Sequence, residues 1–140
     1  LFLLLAASAA FAVWTWTRPY DWRPDPAAGC RVVAAAVERD RSYHWLELRL
    51  KVRPDFEHDL RKPVFLTTAA HQRLEPADTT LSGAVDKPID EIFLKFWLEP
   101  GDLDGPITLH LNDGSLRVRS GSGIPATDST GRAQFTTHRW

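Results

Sequence analysis

Apolar residues recur at every second position through most of the C-terminal half of the chain. In Glu91-Ile-Phe-Leu-Lys-Phe-Trp-Leu98, Ile92, Leu94, Phe96 and Leu98 fall on one side, with Phe93, Lys95 and Trp97 on the other. Ile107, Leu109 and Leu111 alternate with Thr108, His110 and Asn112, and Leu116 and Val118 alternate with Arg117 and Arg119. Upstream, Leu46, Leu48, Leu50 and Val52 alternate with Trp45, Glu47, Arg49 and Lys51. A period of two predicts strands with one buried and one exposed face. Asp113-Gly114 reads as a type I′ hairpin turn between two of them, because that turn needs positive φ at both central residues.

The remaining elements are weaker. Arg31 to Val37 reads as an edge strand, followed by a charged turn from Glu38 to Ser42. Pro63 to Thr68 predicts a strand, and Arg73 to Glu75 a brief return strand. Ala77 to Pro88 has few apolar anchors and reads as loop, while Phe135 and Trp140 predict that the polar tail packs back on the sheet. Short strands, frequent turns and no amphipathic helix imply an all-β fold, a β-sandwich or small barrel, with an antiparallel β-sandwich over residues 30–120 preferred and a tail over 121–140.

The opening is different. From Leu1 to Trp16 the chain is apolar almost without interruption, with no charge before Arg18. A secretory signal would offer Ala10-Phe11-Ala12 as a cleavage site, whereas a retained transmembrane anchor would place Trp14, Trp16, Tyr20 and Trp22 at the water interface. The anchor is the better reading, because cleavage would leave Trp14 and Trp16 as an exposed apolar tip. Residues 1–17 are therefore expected to meet a membrane, and 18–29, with Pro19, Pro24 and Pro26, to form an extended spacer. Cys30 follows Ala27-Ala28-Gly29, but without a leucine-rich core directly before it the plain reading is a small buried thiol starting a strand.

Composition changes the picture only by exclusion. A net charge of -1 gives no basic footprint, so nucleic acid is not an expected partner. One cysteine rules out an intrachain disulfide framework and a cysteine-rich zinc site. G-x-S-x-G, H-E-x-x-H and phosphate-binding glycine loops are all missing, so no enzyme activity and no cofactor are expected.

The apolar start, the proline-rich spacer and the phrases Phe96-Trp-Leu-Glu-Pro-Gly-Asp-Leu-Asp-Gly-Pro106 and Leu109-His-Leu-Asn-Asp-Gly-Ser-Leu-Arg-Val-Arg119 carry a resemblance. The chain resembles small membrane-anchored extracytoplasmic proteins of bacteria that hold a single immunoglobulin-like module. That resemblance implies a binding or accessory role in the cell envelope, with another envelope protein as partner.

Candidate chemistry lies in three places. The outward positions Tyr43, Trp45, Phe93 and Trp97 would form an aromatic binding patch if their strands are neighbours, with Lys95, Arg49 and Lys51 at its margin. The competing expectation is that the tail covers this face through Phe135 and Trp140. The loops Asp55-Phe-Glu-His-Asp59 and Asp102-Leu-Asp104 gather carboxylates that a metal carrier or hydrolase could use, although a solvated acidic loop is the more ordinary reading of each. His44 and His110 are read on outward strand faces.

Overall fold

The computed structural model describes residues 2–16, 20 and 24–140. Trp22 and the side chain of Trp16, part of the expected interfacial belt, lie outside the described residues. One helix, α1 (Phe2–Trp16), precedes nine strands: β1 (Cys30–Asp40), β2 (Tyr43–Val52), β3 (Phe65–Thr67), β4 (Arg73–Leu74), β5 (Asp78–Ser82), β6 (Glu91–Leu98), β7 (Ile107–Leu111), β8 (Gly114–Arg119) and β9 (Arg132–Phe135). They form two antiparallel sheets, one ordered β5-β6-β2-β1-β9 and the other β4-β3-β7-β8.

The inner faces of the two sheets share one core. Leu46, Leu48 and Leu50 of β2, Ile92, Leu94, Phe96 and Leu98 of β6, and Ile107, Leu109 and Leu111 of β7 are each 2% exposed or less. Burying a side chain of this size contributes roughly 1.5–3 kcal/mol, so the expected inward set is also the main source of stability. Cys30 opens β1 as a buried free thiol, and burial pushes its pKa up to about 11, which keeps it protonated.

Several expectations are corrected. β1 is not an edge: it runs on to Asp40 and lies between β2 and β9. Only Arg41 and Ser42 form its turn into β2, with Arg41 at φ 57°. β5 falls inside the expected loop. Every residue of β5 is exposed, so no apolar periodicity marks it, and backbone pairing to β6 supplies the strand. The hairpin between β7 and β8 turns through Asn112 and Asp113, one position earlier than expected, with Asn112 at φ 52° and Gly114 already paired to Leu111.

Gly114 is needed for close approach and not for positive φ. A Cβ there would overlap the backbone of Ala27 and Ala28. The segment it meets is a one-turn 3-10 helix, Pro26–Ala28, capped by Asp25, whose other carboxylate oxygen accepts the Ser115 amide at 3.0 Å. Asn112 donates to the Ala28 carbonyl at 2.6 Å and accepts the Asp59 amide at 3.2 Å. Residues 25–29 of the expected spacer are thus built into one end of the β domain.

At the other end Arg119 is the organising side chain. The alternation of β8 places it outside with Arg117, but the register shifts between Ile107 and Thr108, leaving Val118 as the extra residue of a bulge. Arg119 therefore turns inward and is 1% exposed. Its guanidinium donates to the carbonyls of Leu103 at 2.7 Å, Trp140 at 2.8 Å and Gly123, and lies over the Trp140 ring. Burial holds its pKa below the ordinary guanidinium value, against the pull of Asp104 and Tyr20. Beside it Tyr20 is buried, donating to the Val118 carbonyl and accepting from Trp140 Nε1. The tail bridges the sheets: β9 pairs with β1, and the Ser120 and Gly121 amides donate to the carbonyls of His138 and Trp140.

α1 stands apart from this core, with every residue from Phe2 to Trp14 exposed. Its leucine and alanine content explains the helix. Fifteen residues make a rod of about 22 Å, against about 30 Å of bilayer hydrocarbon. Among the described residues no helix is long and apolar enough to cross a membrane, so the transmembrane expectation is not met by α1.

Two outcomes follow for stability. Gly114→Val should destabilise the domain by about 2 kcal/mol or more, while Gly101→Ala, whose methyl meets nothing within 4 Å, should not. Thermal melts of the two variants check this, and equal melting temperatures would remove the close-approach argument. Arg119→Met should cost about 3 kcal/mol, because buried carbonyls lose their donor; chemical denaturation measures it, and a loss well under 1 kcal/mol would show that the cage is dispensable.

Candidate functional site: the outer face of the five-stranded sheet

Parity along β2 and β6 decides what faces outward. The pairs Trp45 with Trp97, Glu47 with Lys95 and Arg49 with Phe93 stand directly opposite each other, while the Leu46–Phe96 and Leu48–Leu94 pairs face the core. Trp45 and Trp97 meet edge to face at 4.4 Å, and Tyr43 packs on Trp97 at 4.8 Å. The Trp45 indole N–H donates to Asp40, and the Lys95 ammonium lies 4.7 Å over the Trp45 ring. Such contacts hold the rings in place while Trp97 stays 37% exposed.

Three of the four expected aromatics are therefore together. Phe93 is not among them. It lies two outward positions from Trp97 along β6, with Lys95 between, and carries the Arg49 guanidinium at 5.9 Å. Lys51 sits opposite Glu91 at the far margin.

Charge is fully paired in the centre of the face. Arg132 of β9 donates to Glu38 at 3.0 Å and to Glu47 at 2.9 Å, Lys95 lies 3.6 Å from Glu47, and Arg49 bonds Glu91 at 2.6 Å. Burial alone would raise the Glu47 pKa, but Arg132 and Lys95 outweigh it and hold the carboxylate below its usual range. Ala34 and Ala36 of β1 form the low floor of a groove of about 520 Å3 between Arg132 and Phe93. Arg132 comes from the polar tail and Glu38 from the expected turn. Neither carries a sequence signal, because both act only through strand pairing.

The tail does not cover this face. Phe135 pairs with Ala35 on the inward register, and Trp140 stacks on Phe135 at 4.5 Å. Those rings close the side of the domain between β9 and β8.

Of the other candidates, Asp102, Asp55 and Asp59 are occupied by structural work. Asp102 accepts the Glu99 amide at 2.8 Å and caps the 3-10 turn Pro100–Leu103. Asp55 pairs with Arg53, and Asp59 accepts the Arg61 amide. Among the described residues no group of three or more His, Cys, Asp or Glu could hold a metal ion. Ser120 Oγ lies 2.7 Å from His138 Nδ1, a pair the sequence does not announce. Burial first, and then the charges of Arg139 and Arg117, disfavour the protonated form that a general base must reach. His110 is half-buried on the outer face of the other sheet, stacked on Phe65 at 4.7 Å, and Arg73 also lies over the Phe65 ring. His44 corrects its expectation. It shares the even-numbered face with Leu46 and is buried.

No protein-family model matches this chain, and no curated protein or solved structure is detectably similar to it.

Burial is the first cause that holds the pKa of His44, His58 and His138 below the ordinary imidazole value. Unfolded imidazole protonates near about pH 6.5. Below that pH the unfolded chain binds more protons than the native one, so stability declines as pH drops. The melting temperature should fall between about pH 7 and about pH 5, and less steeply in His44→Gln. A flat profile in the parent would count against neutral native imidazoles.

Proposed function

We propose that this protein is a non-catalytic binding or scaffolding module, tethered to a membrane through residues 1–17. More particularly, it is an extracytoplasmic, immunoglobulin-like module of the bacterial cell envelope whose partner is another envelope protein. The observation that carries the reading is the Tyr43–Trp97–Trp45 cluster, rigid, partly exposed and left open by the tail. Rigid aromatics bordered by charge lose little entropy on docking and supply most of the energy at protein interfaces. The paired charges around them can set orientation without leaving an uncompensated ion when water is excluded.

α1 supports the membrane half of the reading. A helix apolar on all sides buries itself either in a protein core or in lipid, and residues 2–14 do neither within this chain.

The test uses the full chain in native membranes. Photo-cross-linking with mass spectrometry should recover a protein partner that is lost in Trp97→Ala and kept in His110→Ala, which alters the opposite sheet. Both variants should melt within about 1 kcal/mol of the parent. Leu4→Glu with Phe11→Glu should release the chain from membranes with its β-type circular dichroism unchanged. Loss of the partner in both single variants, or in neither, would sink the aromatic-face reading.

A further inference from the structure

A separate cleft opens at the end of the domain that carries the β1–β2 turn. Arg39, Arg41, Ser42 and His44 of the β1–β2 hairpin line it together with Pro100, Ile124 and Pro125. Its volume is about 490 Å3, inside the range of roughly 300–1,000 Å3 usual for small-molecule sites. None of the described residues lining it is acidic.

Neither Arg39 nor Arg41 forms an ion pair among the described residues, and the Arg39 Nε–H is spent on the Arg41 carbonyl at 3.1 Å. The carboxylate between them in sequence, Asp40, is on the outer sheet face with Trp45. His44 is 3% exposed, and neither of its ring nitrogens has a hydrogen-bond partner among the described residues.

We propose that this cleft binds a small organic oxyanion, a phosphate monoester or carboxylate carried on a compact apolar body. Arg39 and Arg41 meet the charge, and Ser42 Oγ donates a hydrogen bond from the same rim. His44 lines the cleft with both ring nitrogens shielded from solvent, so its ring reports occupancy and supplies no donor. Ile124, Pro100 and Pro125 pack against the apolar body. The site shares no residue with the aromatic cluster and does not depend on the docking reading.

The full chain is titrated with inorganic phosphate, phenyl phosphate and benzoate while the His44 ring signals are followed by NMR. The signals should shift saturably, with phenyl phosphate bound about tenfold more tightly than inorganic phosphate. Arg39→Gln combined with Arg41→Asn should weaken binding at least about tenfold; asparagine tolerates the positive φ of that turn. Arg39→Gln alone, run in parallel, should show part of the same loss should the turn be disturbed. Ile124→Ser should abolish the advantage of phenyl over inorganic phosphate. Vesicles of phosphatidylcholine with and without phosphatidic acid separate a lipid headgroup from a soluble ligand: a His44 response to the acidic vesicles alone assigns the headgroup as source. Absence of any saturable His44 shift, or shifts that survive the arginine substitutions, would overturn the site, and equal affinity for inorganic and phenyl phosphate would overturn its organic ligand.

Discussion

A one-residue slip of β2 against β6 would turn Glu47 and Arg49 toward the core and Leu46 and Leu48 outward. Because side chains alternate with a period of two, that slip inverts every side chain of β2 at once. The penalty for burying charge makes this register the constraint on which everything else rests. It settles the core and the outer face in one stroke. The same pairing that lays Leu48 over Leu94 brings Trp45 against Trp97 and Glu47 beside Lys95.

β1 and β9 then extend the sheet, and their outward residues complete a network no single strand could make. Arg132 reaches across β1 to Glu47 on β2 while also holding Glu38. Ion pairs this exposed add little stability singly. Their greater effect is on the character of the face: cations and carboxylates are neutralised in place, so the exposed aromatics at one end are the part best able to give up water to a partner. Where charge is left uncompensated, around Arg39 and Arg41, the surface becomes suited to an anion instead.

The two ends of the domain are closed by different means. At one, Asp25, Ala28, Asn112 and Asp59 tie the β7–β8 turn to the segment before β1 by short polar contacts. At the other, a buried guanidinium gathers carbonyls from Leu103, Gly123 and Trp140. Arginine suits this role because its planar fork offers several donors in fixed directions. Without a bulge at Val118 that side chain would point into solvent, and the tail would lose its guanidinium anchor on β8.

The period-two runs of β2, β6, β7 and β8 were legible in the sequence, because half-burial writes itself into alternation of residue type. Their inward leucines, the aromatic identity of the outward face and the apolar, isolated helix follow from local pattern alone. Tertiary structure decided what pattern cannot encode. β5 is all exposed and exists only as the neighbour of β6. β1 is central because β9, from a polar tail, pairs with it. Gly114 reads as a turn glycine, yet its role is set by the backbone of Ala27 and Ala28, remote in sequence. Arg119 reads as a surface residue until one bulge reverses its side. His44 belongs by parity to the buried face, but only the meeting of the β1–β2 turn with residues 124–127 makes a cleft beside it. In each case the deciding interaction is between segments far apart along the chain, and local sequence carries periodicity but not partnership.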